Sequence, residues 1–184
     1  ALNLAQVRIV DDDFNEVPAG TTGEMVIRTP TIMKGYYRDP EATAAAFRDG
    51  YFLTGDLARM DADGYLWFVA RKKDIIRRRG ENISGAEIDL VVGDHPEVVE
   101  AAAIGVPAEL GEDEVLVAVV RKPGSTLTER ELGEWCRSRL AAFKVPRFVL
   151  FVDRLPRTPT HRVAKFELRN DRTLKARAVD LSKK

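Results

Sequence analysis

The first third of the chain alternates apolar and polar residues in short runs, a pattern that predicts β-strands. Residues 4–10 and 24–28 alternate as half-buried strands do, and residues 61–64 form a turn signal between two further strands. One short helix is predicted among them, with Asp39 as its N-cap and Pro40 at its first helical position. The pattern therefore predicts a small β-rich unit.

The pattern changes at a compact charged run, residues 71–74, after which helices and strands alternate. Ser84 followed by Glu87 is typical of a capping box at the start of a helix. The other predicted elements are buried strands at 101–106, 115–120 and 148–152 and an amphipathic helix at 128–140. From residue 169 onward the sequence is polar and basic, which favours a frayed terminus.

Together these elements predict an α+β chain built from two parts. A small β-rich subdomain over residues 1–72 is followed by a small mixed α/β domain over residues 73–170, which has a central short sheet flanked by helices. Residues 171–184 are expected to be a polar tail.

Composition narrows the classes of function. Lys and Arg total 29 and Asp and Glu total 29, so the net charge is zero, which argues against a nucleic-acid-binding module. The apolar runs have the length of strands, so no membrane span is predicted. The single cysteine, Cys136, excludes an internal disulfide and fits a reducing compartment, so we expect a cytoplasmic protein. The chain starts at Ala1 without Met, which fits either processing or a fragment.

Two polar groups in the β-rich part could carry chemistry. In Thr54-Gly55-Asp56, the carboxylate beside a glycine can accept hydrogen bonds from two vicinal hydroxyls, as in ribose recognition, although an isolated motif of this kind is more often a turn. Arg71 at a strand end could bind hydroxyls or phosphates, or could be solvated. The segment 18–23 is interpreted as a β-turn, because no Lys follows it and the next element is a strand. No metal site is predicted.

The order of several short motifs is more specific than any one of them. The series resembles the C-terminal portion of the adenylate-forming enzymes, which include acyl-CoA synthetases, peptide-synthetase adenylation domains and luciferases. It covers about residues 1–170, and its Gly80 segment is most similar to bacterial acid–CoA ligases. The motifs are Gly23-Glu24-Met25, Gly35-Tyr36-Tyr37, Pro40-Glu41-Ala42-Thr43, Tyr51-Phe52-Leu53-Thr54-Gly55-Asp56-Leu57, Asp63-Gly64-Tyr65-Leu66-Trp67-Phe68, Arg71-Lys72-Lys73-Asp74-Ile75-Ile76, Gly80-Glu81-Asn82-Ile83 and Glu87-Ile88.

The resemblance implies roles for three residues near the predicted domain boundary. Residues 1–72 would be the end of a large N-terminal domain, in which Asp56 holds the ATP ribose hydroxyls and Arg71 assists it. Lys73 matches the hinge about which the C-terminal domain rotates between the two half-reactions.

The resemblance also implies where the acceptor would bind. Gly80 and Glu81 match a segment that lines the tunnel for the pantetheine thiol, where a glycine allows close approach of the backbone. Phe143 and Arg147 lie in a segment similar to one that borders the CoA nucleotide, and Arg147 could meet a phosphate. For Phe143 and Arg147, core packing and a solvated charge remain alternatives.

The chain departs from the family at the closing motif, Leu-Pro-x-Thr-x-x-Gly-Lys-x-x-Lys. The adenylation lysine falls on Arg162, and the glycine before it falls on His161. An arginine keeps the positive charge that stabilises the phosphorus transition state, but not the compact ammonium geometry. Three interpretations remain: Arg162 substitutes for the lysine, Lys165 reaches the site instead, or adenylation is weakened or lost.

The activity implied by the resemblance is that of an acid–CoA ligase. The parent enzyme would use ATP, Mg²⁺ and CoA as substrates, without a tightly bound cofactor, to form an acyl-adenylate from a small carboxylic acid and pass the acyl group to CoA. Its principal partner would be the missing N-terminal domain of the same polypeptide, and the 184-residue fragment alone is expected to be inactive. The alternatives are a non-catalytic or regulatory homologue, and an adenylating enzyme that acylates a carrier protein.

Overall fold

The computed structural model describes residues 4–108 and 111–183. The chain divides into two compact units, Ala1–Lys73 and Asp74–Lys184, where the sequence predicts a boundary after residue 72. The predicted mixture of several sheets and short helices is confirmed. Within the described ranges, no helix is long and apolar enough to cross a membrane.

The first unit is an antiparallel five-stranded sheet with one short helix. Its strands run in the order β1-β2-β4-β3, and β5 pairs with β4. The Asp39 side chain accepts the Ala42 N–H at 2.9 Å, which confirms the predicted N-cap. The elements are β1 (Gln6–Val10), β2 (Thr22–Arg28), α1 (Pro40–Ala46), β3 (Phe47–Arg48), β4 (Tyr51–Met60) and β5 (Leu66–Arg71), followed by a 3-10 turn at Lys72–Asp74.

The second unit contains a hairpin, a four-stranded sheet and four helices among its described residues. The sheet order is β11-β10-β9-β8, in which β9 and β10 are parallel. The elements are β6 (Ile75–Arg78), β7 (Glu81–Ser84), α2 (Gly85–Gly93), β8 (Val98–Pro107), β9 (Asp113–Arg121), α3 (Glu129–Arg137), a 3-10 turn at Ala142–Lys144, β10 (Phe148–Phe151), α4 (Lys165–Asn170), α5 (Leu174–Arg177) and β11 (Val179–Asp180).

The central strand β9 explains why this unit has two apolar layers. Side chains alternate between the two faces of a strand. Val115, Val117 and Val119 pack into one cluster with α2 and α3, whereas Leu116 and Ala118 pack into a second cluster with α4 and α5. Because both faces are covered, the strand is a continuous apolar run, as its sequence predicts.

The structure has a capping box at a helix where the sequence analysis predicts none, and lacks the one that it predicts. At α3 the box is present: the Thr128 hydroxyl accepts the Glu131 N–H, and the Glu131 carboxylate accepts the Thr128 N–H. At α2, Ser84 is the N-cap residue as predicted, but the predicted capping box is wrong, because the Ser84 side chain makes no capping hydrogen bond. Glu87 instead pairs with Lys144 at 2.7 Å, so an ion pair with a distant residue replaces the expected local hydrogen bond.

The C-terminal residues correct the prediction of a frayed tail. Residues after 170 form α5 and β11, and β11 pairs with β10. Leu181 packs against the first apolar cluster so closely to Gly133 that a Cβ there would lie 2.7 Å from the Leu181 Cδ1. These contacts come from isolated apolar residues in a polar run, and such residues leave no periodic pattern to predict from.

Leu181→Ala is therefore expected to destabilise the second unit by about 1–2 kcal/mol, because it removes the apolar contact of a partly buried side chain. Urea unfolding of the variant measures the loss. The exposed Lys183→Ala is the matched control and should unfold as the parent does. Equal stability of the Leu181 variant and the control would mean that the C-terminal segment does not pack in solution.

Candidate functional site

A bulge in β4 sets the position of Asp56. Residues 54–56 lie opposite Met25 of β2, because the register shifts there. Gly55 has φ +69°, a left-handed conformation that glycine adopts at little cost. The Thr54 hydroxyl donates to the Met25 carbonyl at 2.6 Å, and the Gly55 N–H donates to Glu24 Oε1 at 3.2 Å. The predicted turn-like motif is thus a fixed bulge, a feature that re-aims a side chain within a strand.

Arg71 is brought beside Asp56 by the pairing of β4 with β5. The two residues are register partners, and Arg71 Nε lies 2.7 Å from Asp56 Oδ1. Arg71 Nη1 also donates to the Thr54 carbonyl at 3.3 Å. Among the described residues, none donates a hydrogen bond to Asp56 Oδ2. The structure therefore presents an oriented carboxylate with an acceptor oxygen available to hydroxyl groups.

The junction between the two units falls immediately after Lys73. Lys72 belongs to the first unit, where its ammonium lies 2.9 Å from both Asp12 and Glu24. The hydrogen bond to Asp12, followed in size by the one to Glu24, raises the pKa of Lys72. Asp74 belongs to the second unit, where it pairs with Arg169. Each neighbour of Lys73 is therefore anchored within its own unit.

The β6–β7 hairpin places Gly80 and Glu81 at a tight turn. Arg79 and Gly80 have φ +53° and +77°, as the two central residues of a type I′ turn require. The Gly80 N–H donates to Glu112 Oε1 at 3.1 Å, and a Cβ at Gly80 would meet no atom within 4 Å. Glu81 is exposed. The turn thus has an open face at the glycine.

The segment from Phe143 to Arg147 borders a basic cavity of about 410 Å³. Phe143 is partly buried and packs against the first apolar cluster. Arg147 is already engaged: its Nε and Nη2 donate to the two carboxylate oxygens of Asp180 at 3.1 and 3.0 Å. The cavity is lined by Arg78, Arg79, Glu114, Arg137, Ala142, Val145, Pro146, Arg147, Leu181 and Ser182.

The closing loop holds Arg162 at a turn. Thr158 N–H donates to the Arg162 carbonyl at 2.8 Å, and Arg162 N–H donates to the Thr158 hydroxyl at 3.2 Å. His161 has φ +61°, the conformation that favours the glycine expected there. Arg157 donates to the His161 carbonyl at 3.0 Å and pairs with Glu100 of β8. The Arg162 side chain is exposed, and no residue of the described part of the chain pairs with its guanidinium.

Lys165 lies in a different environment, at the first residue of α4. Its Nζ is 2.6 Å from Asp89 Oδ2, its side chain is 13% exposed, and Asp89 also accepts the Ala103 N–H at 2.6 Å. Gly85 permits this arrangement, because a Cβ there would lie 3.3 Å from Lys165 Nζ and 3.0 Å from the Asp74 carbonyl oxygen. Of the two candidate cations, Arg162 is the one without an ion-pair partner within residues 74–108 and 111–183.

Lys165→Met is expected to lower the free energy of unfolding by about 2–3 kcal/mol, because Asp89 is left partly buried without its cation. Burial raises the pKa of Asp89, and Lys165 opposes that rise. A carboxyl whose pKa is raised by folding binds its proton more tightly in the folded state, so its contribution to stability falls as the pH rises. The variant should therefore lose more stability near pH 7 than near pH 4.

Urea unfolding at the two pH values measures this difference. Lys122→Met is the control, because Lys122 is exposed and has no ion pair with a described residue. A loss that is the same at both pH values, or no greater than that of the control, would contradict a structural role for Lys165.

Sequence reasoning missed the residues that position the predicted ones. Arg78 and Glu114 form a buried ion pair, and Glu100 and Asp89 anchor Arg157 and Lys165. In the sequence, Arg78 is one of three consecutive arginines, and nothing distinguishes it from its exposed neighbours. Across residues 4–108 and 111–183, no group of three or more His, Cys, Asp or Glu residues could hold a metal ion.

Comparison with known proteins identifies the family that this chain resembles. A family model described as the AMP-binding enzyme C-terminal domain matches residues 87–162. A long-chain-fatty-acid–CoA ligase of Escherichia coli O6:H1 is 43% identical over 90% of this chain, which corresponds to 29% of that protein. An indoleacetate–CoA ligase of Aromatoleum aromaticum is 40% identical over 89% of this chain and 32% of that protein. The chain thus spans about a third of the length of these curated relatives.

Solved structures agree with the sequence matches. ATP-bound MatB from Rhodopseudomonas palustris has a TM-score of 0.84 and 38% identity, covering 96% of this chain and 35% of that one. The o-succinylbenzoate CoA synthetase MenE from Bacillus subtilis, in complex with the acyl-adenylate OSB-AMP, has a TM-score of 0.81 and 31% identity, covering 92% and 34%. The predicted resemblance is confirmed: residues 87–162 belong to the AMP-binding enzyme C-terminal domain family, and the chain is homologous to part of the acid–CoA ligases among the adenylate-forming enzymes.

Proposed function

We propose that the chain is the C-terminal part of an ATP-dependent acid–CoA ligase. The observation that carries this proposal is its identity of 40–43%, over about nine-tenths of its length, to enzymes named as CoA ligases. Those enzymes are about three times longer, so the acid-selecting part of the active site lies in sequence that these residues do not include. The proposed substrate class is therefore carboxylic acids.

In the first half-reaction, a carboxylate oxygen of the acid attacks the α-phosphorus of ATP. A new P–O bond forms to the acid, the bond to the β-phosphate oxygen breaks, and pyrophosphate leaves. Arg162 is proposed to stabilise the negative charge on the α-phosphate, because its guanidinium is exposed and pairs with none of the residues that the structure describes. ATP enters as its Mg²⁺ complex, so the metal arrives with the substrate.

Asp56 and Arg71 are proposed to bind the ATP ribose. An ionised carboxylate is acceptor-only and can take a hydrogen bond from each of two vicinal hydroxyls. The bulge at Gly55 and the Arg71 contact fix the orientation of the Asp56 carboxylate before the nucleotide arrives. This preorganisation reduces the entropy that binding would otherwise cost.

Lys73 is proposed as the hinge between the two half-reactions. A hinge concentrates a change of backbone angles in a few residues between anchored parts. Lys72 and Asp74 have ion pairs within opposite units, which leaves Lys73 as the residue between two anchored neighbours. These contacts support the proposal.

In the second half-reaction, the CoA thiol attacks the acyl carbon, loses its proton, and AMP leaves. Gly80 and Glu81 are proposed to line the path of the thiol, and Phe143 and Arg147 to border the nucleotide of CoA. The cavity beside them has four arginines and one glutamate, a charge balance that suits phosphate groups. Because Arg147 is bound to Asp180, its proposed role is to shape this cavity and contribute to its positive potential.

Two alternative functions can be distinguished from this proposal by experiment. A non-catalytic or regulatory homologue is suggested by His161 and Arg162 in place of glycine and lysine. A carrier-protein ligase would share the first half-reaction and differ in the acceptor. For location, we propose the cytoplasm, where a free thiol such as the buried Cys136 stays reduced.

The test is to incubate the full-length enzyme with ATP, CoA and a panel of carboxylic acids, and to follow AMP and thioester by liquid chromatography. An acid–CoA ligase forms both in equal amounts with at least one acid. AMP release only when a carrier protein is supplied would favour the carrier-protein rival. No AMP with any acid would favour the non-catalytic homologue and overturn the proposal.

The 184-residue chain alone is expected to catalyse no pyrophosphate exchange with any carboxylic acid, because it contains only one side of the proposed active site. Incorporation of labelled pyrophosphate into ATP measures this. Turnover by the isolated chain above a no-protein control would contradict the proposal that the active site needs residues outside this chain.

A further inference from the structure

A buried ion pair lies at the edge of the basic cavity in the second unit, and neither of its residues has an individual role in the proposed half-reactions. Arg78 and Glu114 are 8% and 7% exposed and are the only buried charged residues in the described part of the chain. Arg78 Nε lies 2.6 Å from Glu114 Oε2. Removing two charges from water is costly, and a buried pair often contributes less to stability than apolar residues of the same volume would. Stability alone is therefore a weak explanation for the pair.

Arg78 connects two segments that are distant in sequence. Its Nη1 donates to the carbonyl oxygens of Phe143 and Val145, at 2.8 and 3.0 Å. These carbonyls lie at the end of the 3-10 turn Ala142–Lys144, where backbone acceptors lack partners within the turn itself. One guanidinium thus joins the end of β6 to the segment that precedes Arg147.

Glu114 extends the connection through β9. Its Oε1 lies 3.6 Å from Arg147 Nη1, and Arg147 is in turn bound to Asp180 of β11. The Arg147 hydrogen bonds hold the pKa of Asp180 well below its ordinary value, so this carboxylate stays ionised. The charges alternate in sign along these four side chains, of which Arg78, Glu114 and Arg147 line the basic cavity.

The turn that follows Arg78 is fixed from both sides. Arg79 and Gly80 form the turn itself, Arg78 is anchored to Glu114, and the Gly80 N–H donates to Glu112. Both acidic residues lie at or beside the start of β9. The Gly80 turn and the Phe143 segment are therefore held in one arrangement by a side chain that is 8% exposed and makes its contacts to other parts of the protein.

We propose that Arg78 is a positioning residue for the thiol-transfer step: with Glu114 it fixes the Gly80 turn and the Phe143–Arg147 segment at the spacing that the CoA acceptor requires. This inference rests on the proposed function and names a residue that acts through others. Adenylation uses the Arg162 loop of the same unit, so it does not depend on this spacing.

The kinetic test compares Arg78→Met with Arg77→Met in the full-length enzyme. Arg77 is the exposed neighbour on the same strand, so its variant loses the same charge without losing a bridge. Arg78→Met is expected to raise KM for CoA about 10-fold to 100-fold, because small misplacement of a binding segment has effects of that size. Pyrophosphate exchange should change less than about twofold, and Arg77→Met should match the parent in both assays.

A second variant keeps the test decisive if the lone Glu114 charge impairs folding. The double variant Arg78→Met/Glu114→Met removes both charges at similar volume, which is expected to restore thermal stability but not the bridge to the carbonyls. Its KM for CoA should stay raised. Parent-like stability together with a parent-like KM for CoA would overturn the proposal, as would a parallel loss of both half-reactions.

Amide hydrogen exchange in the 184-residue chain separates this inference from the proposed function. The Gly80 amide should exchange about tenfold faster in the double variant, because its turn loses an anchor. If the full-length enzyme makes no thioester with any acid, the proposed function fails, whereas the exchange rate still decides whether Arg78 positions the turn. An unchanged Gly80 exchange rate would overturn the inference whatever the enzyme does.

Discussion

Arg162→Ala in the full-length enzyme is expected to lower the rate of acyl-adenylate formation by about 10²–10³-fold, the usual effect of removing one group that stabilises transition-state charge. Arg162 is the expected source of this charge because its guanidinium is exposed and has no ion pair with a described residue, whereas Lys165 is bound to Asp89. Pyrophosphate exchange measures the step. Thioester formation from chemically prepared acyl-adenylate should be retained, since this half-reaction does not require Arg162 to stabilise charge on the α-phosphate of ATP.

Two further variants establish whether Arg162 itself is used. Arg162→Lys keeps the charge but not the planar fork of donors, so an enzyme adapted to arginine should lose activity, although less than the alanine variant does. In His161→Gly/Arg162→Lys, the glycine adopts the left-handed conformation of position 161 with less strain. A large gain of adenylation in the double variant would indicate that the native pair is a degenerate form of the family motif.

Asp56→Ala is expected to raise KM for ATP by about 10²-fold, because the nucleotide loses hydrogen bonds to a charged acceptor that each contribute about 1.5–3 kcal/mol. The ratio of kcat/KM for ATP to that for 2′-deoxy-ATP reports on the ribose directly. The parent should discriminate against the deoxynucleotide by about tenfold or more, and the variant should discriminate little, since the acceptor of the missing hydroxyl is gone.

Asp63→Ala is the matched control for Asp56→Ala. Asp63 lies in the exposed turn before β5, so its removal changes the same charge in the same unit away from the bulge. Its variant should keep both KM for ATP and the preference for the ribonucleotide. If Asp56→Ala kept the parent's preference for ATP over 2′-deoxy-ATP, Asp56 would not be the ribose ligand.

Strands and helices with a regular period were the part of the fold that the sequence predicted best. The continuous apolar run in β9 and the amphipathic pattern of α3 arise because each element buries one or both faces along its whole length. The structure of residues 174–181 could not be predicted in this way, because single side chains such as Leu174 and Leu181 make their contacts in isolation. A pattern needs repetition, and a single anchoring residue provides none.

The same distinction applies to the candidate site. Asp56, Gly80 and Arg162 could be proposed as site residues from the order of motifs, because ligand chemistry constrains residue type and spacing. The residues that orient them could not. Glu114 meets Arg78 across 36 positions of sequence only because β9 runs beneath the β6–β7 hairpin, and Asp89 meets Lys165 only because α2 and α4 approach at Gly85. Such pairs depend on the tertiary fold, and an acidic residue in a sequence does not show which cation it will contact.

The central claim is that one small unit serves two half-reactions through two separate groups of residues. The most direct test measures both half-reactions in the same full-length enzyme, with pyrophosphate exchange for adenylation and prepared acyl-adenylate plus CoA for thiol transfer. We predict opposite losses: Arg162→Ala loses adenylation and keeps thiol transfer, whereas Arg78→Met keeps adenylation and loses affinity for CoA. A parallel loss of both half-reactions in each variant would contradict the claim.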